Sequence, residues 1–256
     1  MDLELSGKRV LVTGGSKGIG LACAEAFAAE GAVPILVARD AAALEKAAEG
    51  IRARYGVAAE AMPADLSDGA ARERLAASVG AIDVLVNNAG AIPGGSVLDM
   101  DMAAWEAAWQ LKVFGYIHMT KLFVEAMRGR GGGTIVNVIG MAGMAPRWDY
   151  VCGSTGNAAL IAFTQAVGGR SVDWNVRVFG VNPSATRTDR ATTLYRKRAE
   201  TRFGDAERWA EVLGDLPFGR IAEPSEIAAL VAMLSAPRVA YLSGTVVDMD
   251  GGGRFR

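Results

Sequence analysis

Residues near the N-terminus form a glycine-rich turn whose composition suits a phosphorylated ligand. After the apolar run Arg9–Thr13, the chain reads Gly14-Gly15-Ser16-Lys17-Gly18-Ile19-Gly20 and continues with helical periodicity. Glycines allow the backbone to turn sharply and bring its N–H groups against a pyrophosphate at the N-terminus of the following helix. Because the turn lies between a predicted strand and a predicted helix, the sequence predicts a dinucleotide-binding site here.

The end of the second predicted strand bears on which dinucleotide would bind. A ribose 2′-hydroxyl favours a carboxylate at this place, whereas a 2′-phosphate favours a cation. Ala38 is neutral, Arg39 follows it, and Lys17 lies in the glycine turn. Two cations favour NADP(H). The alternatives are that Asp40 reaches the ribose, which would suit NAD(H), or that Arg39 is merely solvated.

These residues require a scaffold that brings strand ends and helix N-termini together. Helices are predicted at Ile19–Glu30 and Ala41–Tyr55, and strands at Arg9–Thr13, Val33–Ala38, Val57–Met62, Ile82–Val86, Thr134–Ile139, Val176–Val181 and Thr245–Asp248. Buried strands that alternate with helices indicate a parallel sheet covered on both faces. The expected fold is α/β, a Rossmann-type doubly wound parallel sheet formed by residues 1–256 as a single domain.

A polar segment over residues 187–213 separates the last two predicted strands. It is crowded with cationic side chains, namely Arg196, Lys197, Arg198 and Arg202. One interpretation is a solvated helix, and the other is a mobile lid over a substrate cleft. We assign the segment as a substrate-loop insertion and favour the solvated helix for its charged cluster.

The composition argues against several other functions. The 27 Lys and Arg residues against 28 Asp and Glu leave no basic surface for nucleic acid or an anionic membrane. Asp2 and Glu4 stand where a signal peptide carries cations, and glycines interrupt the next apolar run. Two cysteines, Cys23 and Cys152, are too few for a disulfide framework. We therefore expect a cytoplasmic protein with no metal site.

Four further motifs follow the glycine turn in order along the chain. They are Asp65-Leu66 after the third predicted strand, Asn87-Asn88-Ala89-Gly90 at the end of the fourth, Asn182–Thr188 after the sixth, and the closing segment Tyr241–Gly253. Together they resemble the short-chain dehydrogenase/reductase family over nearly the whole chain. The resemblance implies hydride transfer between a nicotinamide and a carbonyl or alcohol carbon of a small molecule. It also implies a homodimer or homotetramer built on the helices around residues 105–127 and 153–172.

Under this resemblance, the cofactor would contact residues from most of the motifs. Asp65 corresponds to the family's adenine contact, and the segment from Pro183 closes over the nicotinamide, with Ser184 in place of a glycine. The predicted cofactor-binding set is Gly14, Ser16, Lys17, Gly18, Ile19, Gly20, Arg39, Asp65, Leu66, Asn88, Ala89, Gly90, Asn157, Pro183, Thr186 and Thr188. NADP(H) is the preferred cofactor, and NAD(H) is the alternative.

The catalytic positions depart from the family's pattern. Family members use a Tyr to protonate the carbonyl oxygen and a Lys one helical turn later, whose ammonium lowers the Tyr pKa and holds the ribose. A Ser polarises the same oxygen, and an Asn anchors a water. In this chain Gly153 falls on the Tyr position, Asn157 on the Lys, Gly140 on the Ser and Lys112 on the Asn. The sequence thus predicts an atypical member that lacks the usual Asn-Ser-Tyr-Lys tetrad.

Two interpretations of these substitutions follow. In one, the protein keeps the cofactor site, has lost catalysis, and serves as an NADPH-binding or regulatory protein. In the other, the machinery has been relocated: Lys112 and Asn157 exchange the family's Asn and Lys, and Tyr150 protonates the oxygen. Ser154 is a weaker donor because no base stands beside it. We favour the relocated machinery.

Each of these residues also has a structural interpretation. Tyr150 could pack beside Trp148, and Lys112 could be a solvated helix residue, although its apolar neighbours suggest a setting where an ammonium needs a partner. We interpret His118, the only histidine, as structural or at a subunit contact. The tryptophans Trp105, Trp109 and Trp174 are expected in the core or at an interface. Apolar candidates for the cleft, which suggest a partly hydrophobic ligand, are Ile92, Met141, Met144 and Trp148.

Overall fold

Strands and helices alternate along the computed structural model, which describes residues 2–214 and 216–255, except for the side chains at positions 190, 197, 198 and 201. The strands are β1 Arg9–Thr13, β2 Val33–Ala38, β3 Glu60–Pro63, β4 Val84–Asn87, β5 Gly133–Val138, β6 Val176–Pro183 and β7 Val246–Met249. The helices are α1 Gly18–Ala29, α2 Ala41–Tyr55, α3 Gly69–Ser78, α4 Met102–Arg128, α5 Val151–Ser171, α6 Asp189–Phe203 and α7 Pro224–Ser235.

All seven strands form one parallel sheet in the order β3-β2-β1-β4-β5-β6-β7. The order reverses between β1 and β4, where Val12 pairs with Val86. At such a switch point the loops leave the strand ends in opposite directions and open a crevice, which is where ligands bind in doubly wound sheets. The predicted fold class is confirmed.

Two apolar layers cover the two faces of the sheet. Along β1, Val10 and Val12 pack into the layer that contains Phe27 of α1, whereas Leu11 packs into the layer that contains Phe123 of α4. Successive strand side chains point to opposite faces, so a strand buried on both sides must be apolar throughout. This explains why the strands read as continuous apolar runs.

The predicted element bounds differ most from the structure at β3. The strand begins at Glu60 and not at Val57, because its ladder with β2 starts where Ile35 pairs with Glu60. β4 likewise begins at Val84 and not at Ile82, because the ladder with β1 starts there. The α2 bounds agree with the prediction, and β1 and β2 also agree.

The segment predicted as an insertion folds into α6 and a 3₁₀ helix over Ala206–Leu213. Arg196 is exposed to solvent on one side of α6 and bonds Glu207 of the 3₁₀ helix at 3.1 Å. Lys197 and Arg198, which belong to the predicted cationic cluster, have side chains outside the described part. The opposite side of α6 faces a large cleft at the carboxyl ends of the strands, which is described below.

Candidate active site

The carboxyl ends of the strands open into a cleft of about 1230 Å³. Lys112 and Tyr150 line it, and so do nearly all the residues predicted to bind the cofactor: Gly14, Ser16, Lys17, Gly18, Ile19, Arg39, Asp65, Leu66, Asn88, Ala89, Gly90, Asn157, Pro183, Thr186 and Thr188. Gly20 does not line it. The tertiary fold thus brings together motifs that are far apart in sequence, and their contact with a cofactor stays a prediction.

The glycine turn has the geometry of a phosphate cradle. Gly14 and Gly18 have φ of +67° and +58°, a region that side chains rarely adopt. A Cβ atom on Gly20 would overlap the carbonyl oxygen of Gly14, so this glycine allows α1 to pack against the turn. Lys17, the N-cap residue, makes no side-chain cap to α1. The first N–H groups of this 12-residue helix can therefore face an anion, and the turn fits a dinucleotide pyrophosphate.

Thr13, which the sequence analysis placed at the end of the first strand without a role in the site, joins the turn to the loop after β4. Its hydroxyl oxygen accepts hydrogen bonds from the backbone N–H groups of Asn88 at 2.8 Å and Ala89 at 3.0 Å. Asn88 in turn donates through Nδ2 to the Thr13 carbonyl at 3.0 Å. A polar residue that closes an apolar strand, directly before the glycines, was the signal that could have found it.

The end of the cleft at β2 and β3 carries one cation and one anion. Arg39 is exposed there, and Asp65 accepts hydrogen bonds from the Ser67 N–H at 3.0 Å and the Ser67 hydroxyl at 2.7 Å. These bonds lower the pKa of Asp65, and the charge of Arg39 contributes less. The Asp40 carboxylate caps α2 by accepting from the Ala43 N–H at 3.0 Å.

The start of α6 contacts the glycine turn. Lys17 Nζ lies 3.6 Å from Asp189 Oδ2, and both side chains are well exposed. A Cβ atom on Gly18 would lie 3.3 Å from Cγ2 of Thr188. In this state a carboxylate of α6 therefore provides the counter-charge of Lys17.

The Tyr150 ring covers the backbone of Gly153. A Cβ atom on residue 153 would overlap the ring and lie 2.6 Å from the phenol oxygen. The ring also packs against the apolar cluster of Ile92, Ala108 and Cys152. The interpretation that Tyr150 packs beside Trp148 has no support, since Trp148 is 65% exposed and lies outside this cluster. The side chain of Tyr150 thus occupies the space that a side chain at position 153 would need.

Lys112 is buried, with 8% of its surface exposed, so the interpretation as a solvated residue is wrong. Its ammonium donates to the carbonyl oxygens of Val138 at 2.7 Å and Ile139 at 3.2 Å, and to the Tyr116 hydroxyl at 2.9 Å. A Cβ atom on Gly90 would lie 2.6 Å from Cδ of Lys112, so the side chain runs directly over that glycine. The ammonium is held at the carboxyl end of β5, beside the cleft.

Tyr116 is a second residue that the sequence analysis missed. Its hydroxyl donates to the Val138 carbonyl at 2.9 Å while accepting from Lys112. Burial raises the pKa of Tyr116 well above its usual value, and the charges of Cys23 and Tyr150 raise it further. Tyr116 lies four residues after Lys112, the spacing that places two side chains on one face of a helix, and this was the available signal.

Gly140 and Asn157, two of the substituted tetrad positions, are hydrogen-bonded to each other. Asn157 donates through Nδ2 to the Gly140 carbonyl at 3.3 Å. The Gly140 N–H is bound to Asn182 Oδ1 at 3.2 Å, and Asn182 Nδ2 donates to Asp248 at 2.8 Å. Gly140 has a φ of +137°, and a Cβ atom there would lie 2.9 Å from the Asn157 amide nitrogen. A serine at position 140 would be strained in this backbone.

The remaining candidates do not face the cleft. His118 accepts through Nδ1 from Arg72 at 3.2 Å, as expected of a structural histidine. Ser154 is buried and accepts from the Arg147 N–H at 3.0 Å. Cys152 is buried, and burial raises its thiol pKa. Trp105 and Trp109 pack around the same cluster as Tyr150, and Trp174 packs on the α4 side of the sheet, as predicted for core residues.

Of the apolar cleft candidates, Ile92 and Met141 line the cleft. The expectation for Met144 and Trp148 is wrong, because both side chains are largely exposed and lie outside the lining. Within residues 2–214 and 216–255, no group of three His, Cys, Asp or Glu could hold a metal ion. Among the helices in the same ranges, none is long and apolar enough to span a membrane.

Comparison with known proteins places the chain among relatives of the same length. Residues 8–199 match the short chain dehydrogenase family. The chain is 35% identical over 254 residues to galactitol 2-dehydrogenase (L-tagatose-forming) of Cereibacter sphaeroides, covering 97% of this chain and 96% of the relative.

Two solved structures illustrate the structural likeness. L-sorbose reductase from Gluconobacter frateurii, complexed with NADPH and L-sorbose, has a TM-score of 0.90 and 31% identity, with 98% of each chain covered. A 7α-hydroxysteroid dehydrogenase complexed with NADH and 7-oxo glycochenodeoxycholic acid has a TM-score of 0.87 and 27% identity, covering 98% of this chain and 96% of that one. Fold, glycine turn, motif order and these matches agree: the chain belongs to the short-chain dehydrogenase/reductase family of NAD(P)-dependent oxidoreductases.

Proposed function

We propose that the protein is an NADP(H)-dependent oxidoreductase in which the catalytic groups have been relocated within the family's site. The observation that carries this proposal is the position of the Tyr150 ring over Gly153. A phenol then stands in the cleft although residue 153 itself offers no proton donor. Tyr150 and Lys112 both line the same cleft as the predicted cofactor-binding residues.

The preference for NADP(H) rests on the charges at the β2 end of the cleft. Arg39 and Lys17 both line the cleft and can pair with a 2′-phosphate. The Asp40 carboxylate is engaged in capping α2, which argues against its binding a ribose hydroxyl. Because the related sorbose reductase binds NADPH and the related steroid dehydrogenase binds NADH, the choice has to be argued from this chain's own residues.

The mechanism assigns one step to each residue. A bound reduced nicotinamide supplies the hydride for a carbonyl carbon. Tyr150 donates its phenolic proton to the carbonyl oxygen as the negative charge develops there. Lys112 holds a positive charge at the carboxyl end of β5, on the lining of the cleft, where it helps to hold the ribose and water. Asn157 presents its amide to the cleft, where it orients the ribose and water.

The alternative is a catalytically inactive protein that binds NADPH and responds to its occupancy. One observation favours it: the Lys112 ammonium donates to two strand carbonyls and a buried tyrosine, which are structural partners. The two functions differ in whether bound NADPH is consumed. Both require the same cofactor site.

The test is a Tyr150→Phe variant, assayed for NADPH binding by fluorescence and for NADPH oxidation with a panel of carbonyl compounds. Loss of one proton donor should lower kcat by about 10²-fold or more while the Kd for NADPH stays unchanged. The matched control is Tyr241→Phe, because Tyr241 is fully exposed and lies outside the cleft. Full activity of Tyr150→Phe would contradict the assignment of Tyr150 as the proton donor. Tight NADPH binding with no oxidation of the wild-type protein would support the regulatory alternative.

Assembly into a homodimer or homotetramer through α4 and α5 is part of the proposal, and so is a cytoplasmic location. Phe114 is exposed on α4, and α5 exposes the small apolar side chains of Ala158, Ala159, Ala162 and Ala166. A second copy of the chain would remove such surface from water. Sedimentation at micromolar concentration should give a multiple of the 26.7 kDa chain mass, and a monomer would contradict this part of the proposal.

A further inference from the structure

The part of the cleft that lies between the loop after β4, the loop after β5 and α6 is here called the substrate end. Three segments of its walls carry apolar side chains. Ile92 lines it from the first loop, Met141 from the second and Leu194 from α6. Each comes from a different segment of the chain, so the apolar surface at this end is not confined to one segment.

Two apolar clusters support these walls. Ile92 packs with Ala108 and Cys152 in the cluster against which Tyr150 lies. On the α6 side, Tyr195 is buried in a cluster with Leu213 and Ile221. Ile92 and Tyr195, which both line the cleft, are therefore held by apolar clusters that extend to the cleft surface.

Leu194 connects the two sides of the substrate end. Its Cδ1 atom lies 4.0 Å from the position that a Cβ atom of Gly94 would take. The same Cβ position lies 3.6 Å from the carbonyl oxygen of Asp149, the residue before Tyr150. Leu194, an aliphatic residue, is therefore the α6 side chain that lies toward the loop of Tyr150.

The charged side chains at this end neutralise each other. Arg147 and Asp149 line the cleft and form a two-point ion pair, with Nε–Oδ1 at 3.1 Å and Nη2–Oδ2 at 2.8 Å. A ligand with hydroxyl groups along its length would place some of them against Ile92, Met141 and Leu194, whose side chains offer no hydrogen-bond partner. Each buried unsatisfied hydroxyl weakens binding by about tenfold or more. An apolar ligand with one oxygen, by contrast, needs only the Tyr150 phenol.

We propose that the substrate is an apolar cyclic or aromatic ketone, or the matching secondary alcohol, and that open-chain polyols and ketoses are rejected. This inference rests on the proposed oxidoreductase function of the same site. In the reduction, the carbonyl carbon receives a hydride from NADPH, which leaves as NADP⁺. The oxygen receives the Tyr150 proton, which water then replaces.

Equilibrium binding tests the inference without requiring turnover. Decalone, acetophenone and fructose are titrated by calorimetry into the NADP⁺-loaded protein, and sorbitol into the NADPH-loaded protein, because an oxidised cofactor cannot reduce a ketone and a reduced cofactor cannot oxidise an alcohol. Decalone and acetophenone should bind at least about tenfold more tightly than fructose, given the value of apolar contacts in such a pocket. Equal or tighter binding of fructose or sorbitol would overturn the inference.

A variant pair localises the effect. Leu194→Asn should weaken decalone binding about tenfold, because a polar amide replaces aliphatic surface, while the Kd for NADP⁺ is unchanged. Leu98→Asn is the control, since Leu98 is 85% exposed and lies outside the cleft. Unchanged decalone binding in Leu194→Asn would count against the inference.

Parallel NADPH-oxidation assays separate this inference from the proposed function. Selective decalone binding without NADPH oxidation would support the ligand class and contradict the proposed oxidoreductase function. NADPH oxidation with fructose in preference to decalone would support the oxidoreductase function and contradict the ligand class.

Discussion

A Cβ atom on residue 153 would lie 2.6 Å from the hydroxyl oxygen of Tyr150, so the missing side chain of Gly153 and the position of the Tyr150 ring depend on each other. Either the helix carries a side chain at position 153, or the ring of residue 150 lies there. The chain has the second arrangement. This relationship leads to the first of four predictions.

Gly153→Ala should displace the Tyr150 ring, because the new methyl group overlaps it. We expect a loss of about 1–3 kcal/mol in the free energy of unfolding, the usual cost of overpacking, together with a loss of NADPH oxidation. Urea unfolding measures the first and a kinetic assay the second. The control is Gly50→Ala. Gly50 lies on the exposed face of α2, and a Cβ atom there would have no neighbour within 4 Å.

The double variant Gly153→Ala/Tyr150→Ala provides the decisive comparison. If the two residues compete for one space, Gly153→Ala should cost much less stability when Tyr150 is already alanine, with a coupling of about 0.5–3 kcal/mol. Additive costs in the double variant would show that the ring does not occupy this space.

Lys112→Met should lower kcat about 10- to 100-fold, because it removes the positive charge that lines the cleft at the end of β5. The variant also leaves the Ile139 carbonyl without its donor and the Val138 carbonyl with Tyr116 alone, which should cost about 1–3 kcal/mol of stability. Lys121→Met is the matched control because Lys121 is exposed on the same helix. The Kd for NADPH and the kcat of the fully folded variant distinguish the two effects: a purely structural Lys112 leaves both unchanged, whereas a Lys112 that acts in the site lowers kcat or weakens NADPH binding.

Arg39→Ala should weaken NADPH binding about tenfold and leave NADH binding unchanged, because only the former carries a 2′-phosphate to pair with the guanidinium. Fluorescence titration with both cofactors measures the ratio. Arg130→Ala, an exposed arginine outside the cleft, should change neither affinity. An equal loss of affinity for both cofactors would show that Arg39 does not bind the 2′-phosphate, and would favour NAD(H).

Cys23 should resist thiol reagents in the folded protein and make stability depend on pH under alkaline conditions. Burial raises its pKa from 9.0 to about 12. The folded state therefore keeps a proton that the unfolded state loses, so this contribution to stability is complete below pH 9 and is lost as the pH rises toward 12. In that window the slope is about 1.4 kcal/mol per pH unit.

The measurement compares urea unfolding of the wild-type protein and Cys23→Ala from neutral to alkaline pH. The alanine variant is less stable at pH 7 but should have the shallower decline. Parallel curves, or rapid labelling of native Cys23 by iodoacetamide, would contradict the burial argument.

The sequence by itself determined the fold class and the cofactor turn. Strand-length apolar runs that alternate with helical segments permit few arrangements, and a strand–turn–helix unit with glycines at these spacings is recognisable because each part is local. The same holds for α2, where Asp40 at the N-cap and Gly56 in a left-handed conformation after Tyr55 mark both ends. Backbone and capping requirements depend on residues that are neighbours in sequence, so they can be predicted from the sequence.

The tertiary structure decided how the substituted positions are used. Sequence spacing placed Tyr150 in the loop before α5, but only packing shows its ring over Gly153. Spacing likewise could not show that Lys112 donates to carbonyls at the end of β5, 26 and 27 residues away. These contacts join segments that meet only when the sheet forms, since a long-range contact depends on how several elements pack and not on the residues beside it. For the same reason the apolar substrate end, made by three distant segments, became visible only in the folded chain.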